Sequence, residues 1–280
     1  MSELDPFRAI DRSANPAALV AALEERGRDP AQRRLRRAFL RAVPIRRRDT
    51  VLEIGCGTGV ILRDLIPMVG AGGRVAGVDP SRTMIAAARR SCRGTGITLR
   101  EADGAKLPFR DDGFDVTLAV TVLLHVADAA AVVSEMVRVT RPGGRVAVQD
   151  QDFGTVVVTH PDRRLTARIL DGVVDRLYEE PHSGRRLPGL LRVAGLQHVR
   201  LYTDVFQDTT LTSYTQTFFE RRAEHAVRFG IARPDEAQRW LDGITAVARA
   251  GAFVMTVNYY GTVGVKPVTS RPTPRPRARA

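Results

Sequence analysis

Between Val51 and Val148 the chain repeats one pattern: a short apolar run, a turn, then a segment with apolar residues at helical spacing. This alternation leaves few folds open, because parallel strands need long, right-handed crossovers and those crossovers place helices on both faces of a sheet. The predicted strands are 51–54, 74–78, 97–100, 114–120 and 145–149, with helices near 58–68, 81–92 and 128–140. The expected fold class is α/β, a doubly wound, mostly parallel sheet whose ligand sits beyond the carboxyl ends of the strands.

The flanks are less regular. Residues 16–43 read as two helices, with apolar positions at Leu19, Val20, Leu23, Leu35, Phe39 and Leu40 and breaks at Gly27 and Pro30. Beyond 150 the pattern predicts helices at 162–179 and 184–194, a strand at 198–205, a helical pair at 211–229 and 234–250, and a last strand at 252–263. The expected organisation is an N-terminal helical segment (1–48), a main domain (49–265) with helical cap elements at about 151–196 and 206–250, and a disordered basic tail (266–280).

Composition narrows the function classes. The chain has no run of about 18 apolar residues, and its opening Met-Ser-Glu-Leu-Asp-Pro resembles no leader, so neither a membrane partner nor secretion is expected. Two cysteines, Cys56 and Cys92, make neither a disulfide framework nor a four-ligand metal site; the expectation is a cytoplasmic protein without a metal. The net charge of +12 is local: residues 26–48 hold ten arginines against Asp29, and 266–280 hold five more basic residues. Everything else is close to neutral, so the charge reads as solvated faces and a tail, and nucleic acid is the less favoured partner. Oligomeric state is left open.

Glu53-Ile54-Gly55-Cys56-Gly57-Thr58-Gly59 follows a predicted strand and opens a helix, where glycines let backbone amides approach a ligand. Val60 stands where a dinucleotide fingerprint needs its third glycine, which argues against a nicotinamide or flavin. Four further segments follow in order: Gly77-Val78-Asp79-Pro80-Ser81; Glu101-Ala102-Asp103-Gly104-Ala105-Lys106-Leu107-Pro108-Phe109 with Phe114-Asp115; His125-Val126-Ala127-Asp128; and Arg138-Val139-Thr140-Arg141-Pro142-Gly143-Gly144-Arg145. Together these five segments resemble the class I S-adenosylmethionine-dependent methyltransferases, in the branch of quinone-biosynthesis C-methyltransferases and natural-product methyltransferases. The resemblance covers about a third of the chain and implies a Rossmann-like, seven-stranded fold.

It also implies roles. Gly55, Cys56, Gly57 and Gly59 would surround the methionine part of S-adenosylmethionine (S-adenosylhomocysteine as product), with Glu53 near its ammonium. Asp79 would accept from the ribose hydroxyls beside Pro80, and Asp103 from the adenine amino group, with main-chain contacts from Ala102 and Gly104 and purine packing from Met84 and Leu107. Taken singly, Glu53 and Asp103 are equally readable as solvated acids and Asp79 as a helix N-cap; Cys56, with no neighbouring base, reads as packing.

Methyl transfer needs positioning first and a base only where the acceptor must lose a proton. The candidate catalytic residues are His125, after the fourth strand, and Asp150 and Asp152, after the fifth. On a continuing strand the two carboxylates share a face. His160 and His182, each beside a proline, read as turn residues, and Tyr214 falls in the cap. The expected acceptor is a small organic molecule of specialised metabolism, at oxygen, nitrogen or carbon. The alternatives are an RNA or other nucleic-acid methyltransferase using the arginine-rich segments, and an S-adenosylmethionine-binding enzyme catalysing a cyclisation or rearrangement.

Overall fold

The computed structural model describes residues 5–268, and seven of its strands form one sheet. They are β1 (Thr50–Ile54), β2 (Arg74–Asp79), β3 (Thr98–Glu101), β4 (Phe114–Val120), β5 (Thr140–Val158), β6 (Gln197–Asp208) and β7 (Met255–Val265). The order is β3-β2-β1-β4-β5-β7-β6, parallel except that β7 runs antiparallel between β5 and β6. Strand order reverses between β1 and β4, which places the crevice of a doubly wound sheet there.

The helices are α1 (Pro16–Arg28), α2 (Pro30–Ala42), α3 (Val60–Val69), α4 (Arg82–Ser91), α5 (Ala129–Val139), α6 (Arg163–Leu177), α7 (Ser183–Val193), α8 (Ser213–Arg228) and α9 (Pro234–Arg249). Local chemistry starts several of them: Asn15 and Asp29 accept from the amides of Ala18 and Gln32, with proline at the first helical position of α1 and α2. Alternation along β1 splits the core. Val51 joins Leu62, Leu65 and Phe39 on one face, and Leu52 joins Val133, Met136 and Leu187 on the other. A third cluster gathers α6, α8 and α9 around Trp240, Phe219 and Ile169, over Phe206 and Val257 of the sheet's far edge.

Three boundaries differ from the sequence reading. β5 runs nine residues past 149, to Val158, because β7 pairs with it as far as Met255. α7, expected within the cap, flanks the sheet instead: its Leu187 and Leu191 form one stripe buried with Val146 and Val148. The basic tail begins later than 266, since Lys266 is fixed through its amide to Gly144 O and its ammonium to Asp112 and Thr140 O. The disorder expected of the remaining tail falls on 269–280, outside the described residues. Among the described residues no helix is long and apolar enough to cross a membrane.

Candidate active site

The carboxyl ends of β1, β2 and β4, the loop after β3, and one residue of β7 open into a cavity of about 520 Å³. Its other wall is built from residues 7–10 and from α1 and α2. That size suits small molecules.

On the β1–β3 side the wall includes Glu53, Gly55, Cys56 and Gly57, then Asp79, Pro80 and Met84, then Asp103 and Gly104. Gly55 has φ +65°, and a Cβ there would strike Val122, so the loop can follow this path only with glycine. Asp79 accepts from Gly57 N and Ser81 N, each at 2.9 Å, and these bonds tie the glycine loop to the end of β2. The N-cap of α4 is Ser81, whose hydroxyl accepts from Met84 N. Asp79 is therefore free of that task, and each carboxylate oxygen retains acceptor capacity toward the cavity. Burial raises its carboxyl above the ordinary value.

Glu53 is the most demanding group in the wall. It is 2 % exposed, and its Oε2 has no hydrogen-bond partner among the described residues. Burial first, then the charge of Asp79, push its carboxyl well up. A buried carboxylate oxygen without a partner is costly, and a cation brought into the cavity would satisfy it. Burial likewise pushes the Cys56 thiol up, with Glu53 and Asp79 adding to the effect, so it stays a neutral packing group.

Three residues expected around the cofactor, Gly59, Ala102 and Leu107, stand off the wall. Gly59 starts α3 with φ +82° and packs against Cys92 and Ser91. Ala102 spends its amide on Asp79 O, so it extends strand pairing. Leu107 is in the core beneath.

His125 does line the cavity. Its Nδ1 lies 2.5 Å from Oδ2 of Asp5, whose side chain is fully buried, and its ring sits near Phe7 and Tyr178. The carboxylate selects the tautomer with the proton on Nδ1, which leaves Nε2 as an acceptor. Asp150 and Asp152 are corrected by the structure. They share a face as expected, but it is the face toward α7: Asp150 accepts from Ser183 Oγ at 2.7 Å, and Asp152 is paired with Arg185 and His182. Neither is among the residues that line the cavity. The intervening glutamines take the opposite face, with Gln149 in the wall and Gln151 accepting from Arg26. Away from the site, His160 accepts from Asp162 N at Nδ1 and donates from Nε2 to Trp240 O.

Sequence reasoning missed the far wall. Arg26 donates to Thr121 Oγ1 (3.3 Å), Gln151 Oε1 (3.3 Å) and Tyr259 OH (3.2 Å), while Gln32 Nε2 donates to Tyr214 OH and Tyr259 OH. A signal existed. Leu19, Leu23 and Arg26 form one helical stripe, as do Gln32, Leu35 and Phe39, so each stripe carries a polar residue on an apolar face.

Residues 52–148 match the family model described as "Methyltransferase domain". Over 247 residues the chain is 31% identical to an uncharacterized 37.1 kDa protein in transposon TN4556 of Streptomyces fradiae, covering 87% of this chain and 70% of that one. It is 35% identical over 173 residues to the methyltransferase GfsG of Streptomyces halstedii, and that match spans 58% of this chain and 57% of the relative. Among solved structures it is similar to a phosphoethanolamine N-methyltransferase 2 of Haemonchus contortus in complex with S-adenosyl-L-methionine, with a TM-score of 0.61 at 19% identity, over 94% of this chain and 60% of the other.

Proposed function

The chain belongs to the class I S-adenosylmethionine-dependent methyltransferases, and from that footing we propose that it methylates a small organic acceptor in biosynthesis, in the cavity described above. The cofactor, when bound, supplies an electrophilic methyl group on a sulfonium, which the acceptor's lone pair takes as S-adenosylhomocysteine leaves. This chain's residues do the holding. Glu53 receives the ammonium of the methionine part, the oxygens of Asp79 receive the ribose hydroxyls, Asp103 and Gly104 meet the adenine, and Met84 and Pro80 pack the cofactor. Where the acceptor must give up a proton, Nε2 of His125 takes it, and the carboxylate of Asp5 offsets the positive charge that then rests on the ring.

The observation that carries this reading is the unpartnered Oε2 of Glu53, buried in the same cavity wall as Asp79 and Asp103. Three carboxyl groups along β1, β2 and the loop after β3 suit a ligand with a cationic end and a hydroxyl-rich middle. The cavity's size and wall support a small acceptor over nucleic acid. So do Arg34 and Arg36 of the basic run, which are held by Asp204 and Asp64.

Calorimetry with S-adenosylhomocysteine, and methyl transfer from labelled cofactor to small-molecule and RNA pools, test the reading. Binding of S-adenosylhomocysteine without competition from NAD is expected. Glu53→Gln should weaken that binding by about 1.5–3 kcal/mol, as for a lost hydrogen bond to a charged group. Heat with NAD alone, or label passing only to RNA, overturns it.

A further inference from the structure

Three arginines and His125 line the cavity, and all but one of these four are paired with carboxylates: Arg8 with Glu179, Arg36 with Asp64 and His125 with Asp5. Arg26 is the exception. Every partner of its guanidinium among the described residues is neutral: Gln32, Thr121, Gln151 and Tyr259. A guanidinium held in a protein wall with no counter-charge favours an anion beside it, and these four hydrogen bonds leave one of its five N–H donors for that anion.

The acids of the wall do not fill this role. Glu53 and Asp79 end β1 and β2, Asp103 follows β3 and accepts from Ala105 N, and Asp128 caps α5. The partners of Arg26 lie elsewhere: Gln32 on α2, Thr121 just past β4, Gln151 on β5 and Tyr259 on β7. Neighbouring strands are about 5 Å apart, so a guanidinium spanning β4 to β7 is centred about 10 Å from β1. The two functional groups of an amino acid share one carbon, so a cofactor whose ammonium meets Glu53 keeps its own carboxylate near β1. Arg26 therefore faces the other half of the cavity, bounded by Leu35 and Tyr259.

We infer that Arg26, with Tyr259 OH and Gln32 beside it, is the anchor for a carboxylate on the methyl acceptor, so that the substrate class is small organic monoanions. One uncompensated cation fits one negative charge, which selects a carboxylate over a phosphate dianion. The inference rests on the methyl-transfer reading, since the acceptor half is defined by where the cofactor lies.

The test uses the full chain saturated with S-adenosylhomocysteine and titrated at constant ionic strength with benzoate, with benzamide as neutral near-isostere, with acetate and with inorganic phosphate. Benzoate is expected to bind about tenfold or more tightly than benzamide and more tightly than phosphate. Arg26→Met should remove that preference while changing the S-adenosylhomocysteine Kd less than twofold; Tyr259→Phe, which removes one hydroxyl, should weaken benzoate severalfold. Equal binding of benzoate and benzamide, no binding of either carboxylate, or a preference for phosphate overturns the inference. A tenfold loss of S-adenosylhomocysteine affinity in Arg26→Met also overturns it, because Arg26 would then read the cofactor's own carboxylate. S-adenosylhomocysteine is titrated in its own arm, so a wild-type chain that fails to bind it counts against methyl transfer itself.

Discussion

At the scale of single residues, burial decides more than identity. Asp79 ends β2 and Asp150 lies within β5, yet Asp79 opens onto the cavity and Asp150 is enclosed beneath the loop that carries His125. Burial pushes the Asp150 carboxyl up from an ordinary 3.8 to about 6, against the hydrogen bond from Ser183. A folded value above the unfolded one means the folded state binds the proton more tightly. Its stabilising effect is therefore present below about pH 4 and lost as pH rises through about 6. The difference corresponds to about 3 kcal/mol. Asp150→Asn has no such titration, so its stability relative to wild type should be about 3 kcal/mol greater at pH 8 than at pH 4, measured by urea denaturation. Parallel pH curves for the two proteins would show that the carboxylate is better solvated than its burial implies. Sequence located both acids but could not separate them, because strand alternation states that 150 and 152 share a face and is silent on which face meets the ligand.

Among elements, the helices of the main sheet were the most legible. α3, α4 and α5 begin and end within two residues of the boundaries expected from apolar spacing, since caps such as Ser81 and Asp128 are local chemistry. α7 was readable as a helix but not as a sheet-flanking one, because its place depends on a partner that is remote in the chain. Asp152, with no side-chain exposure, accepts from Arg185, His182 and Gly154 N, and so fastens the start of α7 to β5. Asp152→Asn should therefore lower unfolding stability by about 1–3 kcal/mol, the smaller part of the range for breaking a buried pair because Arg185 is half exposed and stays hydrated. S-adenosylhomocysteine affinity should not change. A variant that keeps its stability and its cofactor binding while losing methyl transfer would instead put this carboxylate on the acceptor.

For the molecule as a whole, the site is closed by the part of the chain farthest from the glycine loop in pattern. Asp5 meets His125 across 120 residues, Ile10 packs with Met84 and Leu19, and Asp11 accepts from Ser81 Oγ (2.7 Å), Arg82 N (2.8 Å) and Thr83 N (3.1 Å) at the start of α4. None of these contacts has a sequence period, which is why the segment could be read only as a flank. Residues 5–12 thus form a strap along one wall of the cavity, pinned at one end by Asp5 and at the other by Asp11. A ligand enclosed by the strap leaves only when one pin opens, so the local opening equilibrium sets the release rate. Asp11 is the pin to remove, since it touches the rim of α4 and not the cavity wall. Partial burial raises its carboxyl, but the hydrogen bonds from Thr83, Ser81 and Arg82 outweigh that and hold it down to about 2. The pin is therefore set above about pH 4 and released as pH falls toward 2. Asp11→Ala should speed hydrogen exchange of amides 7–13 and S-adenosylhomocysteine release together, each by about tenfold, a typical effect of losing hydrogen bonds to a charged group. Exchange in β1, β4 and β5 should be unchanged, because the strap lies outside the sheet core. Faster exchange with an unchanged release rate would mean that the ligand leaves past α1 and α2 and that the strap is a fixed part of the wall.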